Sequence, residues 1–262
     1  MGQELSTNDL VREERFWDEV GEKWLGSWNE ADLMVRDASR FLSGSTVAFD
    51  YLMAKLGKVT DSKILDYGCG SGWLGTYLAQ RGGIVYGFDI STKLVQLGMK
   101  RAQVNGVSDR VVLRKMIAEE LDYQDGQFDI VVGISILHHI DLKRGGLELH
   151  RVLKPGGRAL FIEPLGESSL QNWIRNYILR RHHGSTREVD AEHPLTYQDI
   201  QLIGSPFGRV EVREFQLIEM IARLTGDNIT RLLGLRTLDQ WLLSSFPALR
   251  RYCRLVVITY TK

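Results

Sequence analysis

Cysteine is scarce: the chain of 262 residues holds two, Cys69 and Cys253, and they stand in no metal-ligand spacing. No metal is therefore expected. An excess of either charge is missing as well, since 33 Lys and Arg balance 33 Asp and Glu. A neutral chain carries no electrostatic footprint for general nucleic-acid binding, so no nucleic-acid partner is expected. No window approaches the roughly 18 consecutive apolar residues of a spanning helix, which limits any membrane contact to a peripheral one. No N-terminal apolar segment suggests secretion, and a reducing, cytoplasmic location is the expectation.

Apolar residues make up 44% of the chain. A chain of this length buries on the order of three quarters of its unfolded surface, as one large domain with appendages. Its organising stretch is Lys63-Ile64-Leu65-Asp66-Tyr67-Gly68-Cys69-Gly70-Ser71-Gly72. Ile64 and Leu65 read as the end of a buried strand. Glycines at every second position then open a segment, 72–80, with helical spacing. Such a turn lets a ligand approach where a Cβ would collide, and the helix N-terminus offers free N–H donors to an anionic group.

The spacing narrows the ligand. A dinucleotide fingerprint needs a third glycine three residues after the second, and Trp73 stands there, which argues against a nicotinamide-dependent oxidoreductase. A second strand, 84–88, ends in Asp89, 19 residues after Gly70. A carboxylate at that strand end accepts hydrogen bonds from ribose hydroxyls.

Asp66-x-Gly68-x-Gly70-x-Gly72 with Asp89, Phe128-Asp129-Ile130-Val131-Val132 and Leu153-Lys154-Pro155-Gly156-Gly157 resembles the class I (Rossmann-like) S-adenosylmethionine-dependent methyltransferases of small-molecule type, closely over about 63–163. The resemblance implies S-adenosyl-L-methionine as cofactor and S-adenosyl-L-homocysteine as product. It sets Gly68, Cys69, Gly70 and Gly72 against the methionine part, with Asp66 helping to hold the amino group. It also assigns Asp89 to the ribose and Ile90 to the adenine face. Relatives often carry an aspartate before the alanine after the third strand; here Ile117-Ala118-Glu119 stands, which leaves the adenine contact to Glu119 or to backbone beside Ala118.

Strand-helix alternation from Lys63 predicts an α/β, doubly wound, mostly parallel sheet, and the resemblance implies seven strands with an antiparallel last one. After the strand that ends at Ile64-Leu65, strands are expected at 84–88 with Asp89 at its end, from 111–113, and at 128–134, 158–162, 210–215 and 254–260. Helices cover both faces. Residues 1–60 carry a helical pattern through Leu42, Phe49, Leu52 and Leu56 that reads as a cover over one face of the sheet, and the resemblance implies an N-terminal helical lid, with Trp17, Trp24 and Trp28 as water-excluding candidates. The methyltransferase domain, 61–262, is expected to carry helical inserts at about 165–195 and 217–253. Just after the first, Thr196 with Asp199 is expected to form a capping box, and in the second Thr237 with Gln240 is expected to do the same. The second insert reads first as simple packing on the core, with a substrate lid, a homodimer surface or a membrane-facing element as alternatives.

In sheets of this kind ligands bind beyond the carboxyl ends of the strands, which groups Gly68, Asp89, Ala118, Ser135 and Glu163 into one site. Three histidines are candidates for a general base: His138 and His139 after the fourth strand, and His193 in the first insert. Trp73 stands near the glycines, either by the cofactor or packed on the leader. The position after the fourth strand reads Ser135-Ile136-Leu137-His138, so the Asn/Asp-Pro-Pro-aromatic motif of base-methylating relatives is absent, as is the paired-glutamate loop of protein arginine methyltransferases. The expected acceptor is small and apolar, O-methylated at a hydroxyl or C-methylated on a quinone-like ring. Cofactor binding without turnover is the alternative.

Overall fold

Strand β1 (Lys63–Tyr67) lies between β2 (Ile84–Asp89) and β4 (Phe128–Ile134) in a seven-stranded sheet of order β3-β2-β1-β4-β5-β7-β6. This is a computed structural model, and it describes residues 6–42, 45–168, 194–218 and 234–262. Strands β1 to β5 pair in parallel; β7 (Leu255–Thr261) runs antiparallel to both β5 (Leu153–Pro164) and β6 (Arg209–Phe215). The mostly parallel sheet expected from the sequence is the one found. Its strand order reverses at β1, with β2 and β3 (Val111–Lys115) to one side and β4 to the other, which opens a crevice at the carboxyl ends.

Side-chain alternation divides the core into two layers. Ile64, Ile130, Val132, Leu160 and Val257 face α3 (Thr46–Leu56), α4 (Trp73–Ala79) and α5 (Thr92–Val104). Leu65, Val131, Phe161, Val256 and Ile258 face α6 (Leu142–Val152), α7 (Tyr197–Gly204) and α8 (Leu235–Ser245). Both faces of β1, β4 and β5 are thus covered, as the near-continuous apolar runs of these strands require.

Local chemistry fixes most helix starts. Ser91 Oγ accepts from Leu94 N–H at 3.0 Å and begins α5. Thr196 and Asp199 form the expected capping box of α7, with Leu195 and Ile200 both buried beside it. Three starts differ from expectation. Helix α8 begins at Leu235, one residue after Gly234 in the left-handed region at φ +64°, and not at a Thr237/Gln240 box; a glycine turn here supplies the change of direction that a side-chain cap supplies elsewhere. Strand β5 begins at Leu153, before the expected 158, because Leu153 pairs with Phe128 and the ladder then skips Lys154-Pro155-Gly156-Gly157 to resume at Arg158 opposite Ile130. Leu42 belongs to a short helical turn after Ala38–Phe41 and precedes α3, which starts at Thr46.

The leader contributes α1 (Thr7–Ser27) and a one-turn α2 (Glu30–Leu33) before α3. Helix α1 is docked on α5: Asp18 Oδ1 accepts from Ser91 Oγ at 2.6 Å and from Lys93 N–H at 3.1 Å. A Cβ added at Gly21 would lie 2.7 Å from Lys93 Cβ, so that glycine permits the close approach of the two helices. Trp24 and Trp28 stack on each other and pack with Leu33, Leu94 and Leu97. The helical-looking segment of the first insert, with Trp173, His182, His183 and His193, lies outside the described residues, as does most of 217–233. No described helix is long and apolar enough to cross a membrane.

Candidate active site

The carboxyl ends of β1 to β4 and the inner face of α1 enclose a cavity of about 230 Å³. Gly68 and Gly70 form part of its wall. Gly70 has φ +49°, and a Cβ built there would meet no atom within 4 Å, so the turn presents bare backbone to open space. Gly72 serves packing instead: at φ +71° it begins α4, and a Cβ there would fall 2.6 Å from the Gly98 Cα of α5. Cys69 is buried and, like Gly72, outside the cavity wall.

Asp89 closes β2 and reaches the cavity. Its Oδ2 accepts from Gly70 N–H at 2.8 Å and its Oδ1 from Ser91 N–H at 2.9 Å. Two backbone donors therefore fix the plane of the carboxylate and leave further lone pairs for a ligand. Burial pushes its pKa up to about 6, with backbone hydrogen bonds from Ser91, Gly70 and Ile90 opposing the shift. Ile90 adjoins it in the wall, and Met116, Ile117, Ala118 and Glu119 supply the side beneath β3. Glu119 is braced rather than free, since its Oε1 accepts from Asp141 N–H at 2.7 Å.

Asp66 is seated beneath α4, 2% exposed, where its Oδ2 accepts from Gly75 N–H at 2.9 Å. Burial, with the Asp89 charge adding to it and the Gly75 bond opposing, pushes its pKa up to about 7. It stands behind the glycine turn and outside the cavity wall. Trp73 also faces away, stacked on Phe41 at 5.1 Å and tilted against Phe49.

The segment after β4 separates the two adjacent histidines. Ser135 lines the cavity with φ +55°, a conformation that costs a non-glycine residue of order 1–3 kcal/mol and is held by its N–H bond to Ile162 O. Glu163, fully buried at the end of β5, then accepts from Ile136 N–H at 2.8 Å and Leu137 N–H at 2.9 Å, while its other oxygen meets His138 Nδ1 at 2.7 Å. His138 is thus a buried brace of the loop. His139 turns the other way into the cavity, with its ring 5.9 Å from Trp17 and its Nδ1 3.5 Å from Glu13 Oε2. Burial, with His138 adding in the same direction, pushes the His139 pKa down to about 3, so the ring is neutral.

The remaining wall comes from α1. Leu10, Glu13 and Trp17 recur at helical spacing and present one face to the cavity. Glu13 Oε2 accepts from Trp17 Nε1 at 3.0 Å, and burial raises the Glu13 pKa against that bond. The sequence singles out Trp17 of these three wall residues; it does not single out Glu13, although the three- and four-residue spacings from Leu10 and Trp17 carry that signal. Among the described residues no cluster of three metal-ligating side chains occurs.

Residues 65–161 match the protein family described as a methyltransferase domain. The 27-O-demethylrifamycin SV methyltransferase of Amycolatopsis mediterranei is 34% identical over 135 residues, 51% of this chain and 47% of that protein. The demethylmenaquinone methyltransferase of Lactiplantibacillus plantarum is 34% identical over 115 residues, 42% of this chain and 48% of that one. The chain thus spans about half the length of these curated relatives. Among solved structures, geranyl diphosphate C-methyltransferase from Streptomyces coelicolor A3(2) superposes with a TM-score of 0.66 over 98% of this chain and 99% of that one, at 18% identity, a likeness of fold. Residues 65–161 thus match the methyltransferase-domain family, and the chain that carries them has the class I methyltransferase fold.

Proposed function

We propose that this protein is an S-adenosylmethionine-dependent methyltransferase acting on a small, largely apolar acceptor, with a hydroxyl oxygen as the simplest methyl-accepting atom. The observation that carries the reading is Asp89: a carboxylate at the β2 end, aimed into the cavity and pinned by Gly70 and Ser91 N–H groups. That is the arrangement a ribose diol requires. The bare Gly70 backbone suits the methionine part, and Ile90, Ile117 and Ala118 form an apolar wall for the adenine. Asp66 fits as a support of the turn through Gly75, in place of direct contact with the cofactor.

When bound, the cofactor supplies a sulfonium methyl for in-line displacement. The chain's own residues then hold the partners in line and exclude water. Leu10 and Trp17 close the cavity from the leader, which supports reading 1–60 as a cover on the domain 61–262. Neutral His139 is placed to accept a hydrogen bond from an acceptor hydroxyl and orient its lone pair. Relatives named for 27-O-demethylrifamycin SV and demethylmenaquinone make acceptors of these two kinds the first to screen.

A second reading, cofactor binding without turnover, is favoured by one observation: a ring held at a pKa of about 3 is a weak base for removing a hydroxyl proton. Calorimetric titration with S-adenosylmethionine, S-adenosylhomocysteine and, as control, NADH tests the cofactor. Micromolar binding of the first two is expected, weakened roughly tenfold or more in Asp89→Ala, since a hydrogen bond to a charged group contributes about 1.5 to 3 kcal/mol. Equal affinity in the folded variant removes Asp89 from the site. Release of S-adenosylhomocysteine in an acceptor screen then separates turnover from binding alone.

A further inference from the structure

Arg101 heads the fully buried side chains by size among the described residues. Burying a guanidinium is costly unless its donors are satisfied, and a carboxylate is the usual partner. Here its partners are neutral oxygens. Nη1 donates to Ser71 O at 2.5 Å and to Ser71 Oγ at 2.6 Å, Nε donates to Leu33 O at 3.2 Å, and Nη2 approaches Asp32 O at 3.5 Å. The rings of Trp28 and Phe41 lie 5.2 and 5.1 Å from the guanidinium carbon.

These contacts join two parts of the molecule that are distant in sequence. Ser71 lies between Gly70, which faces the cavity, and Gly72, which packs on α5; Leu33, Asp32, Trp28 and Phe41 all belong to the leader. Asn105, one turn further along α5, holds the same leader segment: its Nδ2 donates to Leu33 O at 2.9 Å and its Oδ1 accepts from Val35 N–H at 2.8 Å. The planar fork of an arginine serves both sides at once, which a lysine cannot do.

We propose that Arg101 is a positioning residue that clasps the leader to the glycine turn, so that leader docking and cofactor affinity are linked through Ser71. This rests on the cofactor reading above. Linkage requires that whatever loosens the leader weakens the ligand, and that the ligand steadies the leader in return. The cation also remains charged at neutral pH, since burial lowers its pKa only to about 10. It therefore adds a positive field behind the turn.

The test uses the full chain as wild type, Arg101→Lys and Arg101→Met, with S-adenosylhomocysteine affinity by calorimetry and amide hydrogen exchange over 28–42 read with and without ligand. In the wild type the ligand is expected to slow exchange over 28–42. In Arg101→Met affinity falls at least tenfold, exchange there quickens and no longer responds to ligand, and the kinetic loss falls on KM for S-adenosylmethionine more than on kcat. Arg101→Lys recovers part of the affinity. A folded Arg101→Met that binds within twofold of wild type, or whose leader exchange is unchanged, overturns the clasp. Should Arg101→Met fail to fold, Ser71→Ala removes only the hydroxyl contact; a three- to fivefold loss of affinity is expected, and no loss overturns the proposal. Wild type that binds no S-adenosylhomocysteine overturns the cofactor reading instead, and the linkage with it, whereas leader exchange in the unliganded variants still decides whether the clasp exists.

Discussion

Asp66 and Asp89 are the same residue type, 23 positions apart in the chain, and the structure gives them different tasks. Both are buried and both have raised pKa values, about 7 and about 6. For a carboxyl whose folded pKa lies above its unfolded value near 3.8, the folded state binds the extra proton, so stability falls as pH rises through the window from about 4 to 7. Asp66→Asn keeps an oxygen for Gly75 N–H and removes that penalty. Its melting temperature, relative to wild type without ligand, is expected to rise between pH 5 and pH 8; parallel curves would mean that Asp66 does not titrate in this window. The two histidines divide in the same manner. His138→Ala leaves a Glu163 oxygen buried without its partner, and a loss of about 1–3 kcal/mol in chemical denaturation is expected, with Glu163 still held by Ile136 and Leu137. His139→Ala leaves stability and cofactor affinity nearly intact and slows methyl transfer; unchanged turnover would remove His139 from the reaction. The sequence places both rings after β4 but cannot say which turns inward, because that depends on a carboxylate from β5.

The elements that shape the site are held by close backbone contact as well as by apolar burial. Gly72 of the turn meets Gly98 of α5, and Gly98 in turn would bring a Cβ to 2.5 Å from the Leu113 side chain. Gly72→Ala combines a left-handed backbone with a clash against main chain that cannot rotate away, so it is expected to destabilise by about 1–3 kcal/mol and to weaken the cofactor by moving Ser71 and Gly70. A variant as stable as wild type would show that α4 and α5 can part without cost. The glycines and the Thr196/Asp199 box were readable because each acts within a few residues of itself. The start of α8 was not, since Gly234 and Thr237 are both plausible punctuation and only the path of the chain decides. Nor was the true start of β5, which rests on Phe128 pairing with Leu153 across two separate segments. The same limit hid Glu13 and Arg101, whose roles arise where the leader meets the domain.

At the scale of the whole molecule, the leader, the β-strand ends and the ligand form one equilibrium. A ligand that binds only the folded state at a hundred times its dissociation constant adds about 2.7 kcal/mol, which for a domain of this size corresponds to a rise in melting temperature of roughly 5–10 °C. On the proposed reading ribose hydroxyls donate to the ionised form of Asp89, so that binding favours the carboxylate and must displace a proton when the pH lies below about 6. The thermal shift produced by S-adenosylhomocysteine is therefore expected to be full at pH 7.5 and to shrink as the pH falls from 6 to 5, with affinity dropping toward tenfold per pH unit. His139 takes no part in that decline, because its pKa of about 3 keeps it neutral throughout the range. In Asp89→Asn the pH dependence should vanish together with much of the shift itself. If instead the wild-type shift is flat from pH 7.5 to 5, Asp89 is ionised without ligand, and the burial that raises its pKa is relieved by an opening of α1 away from the cavity.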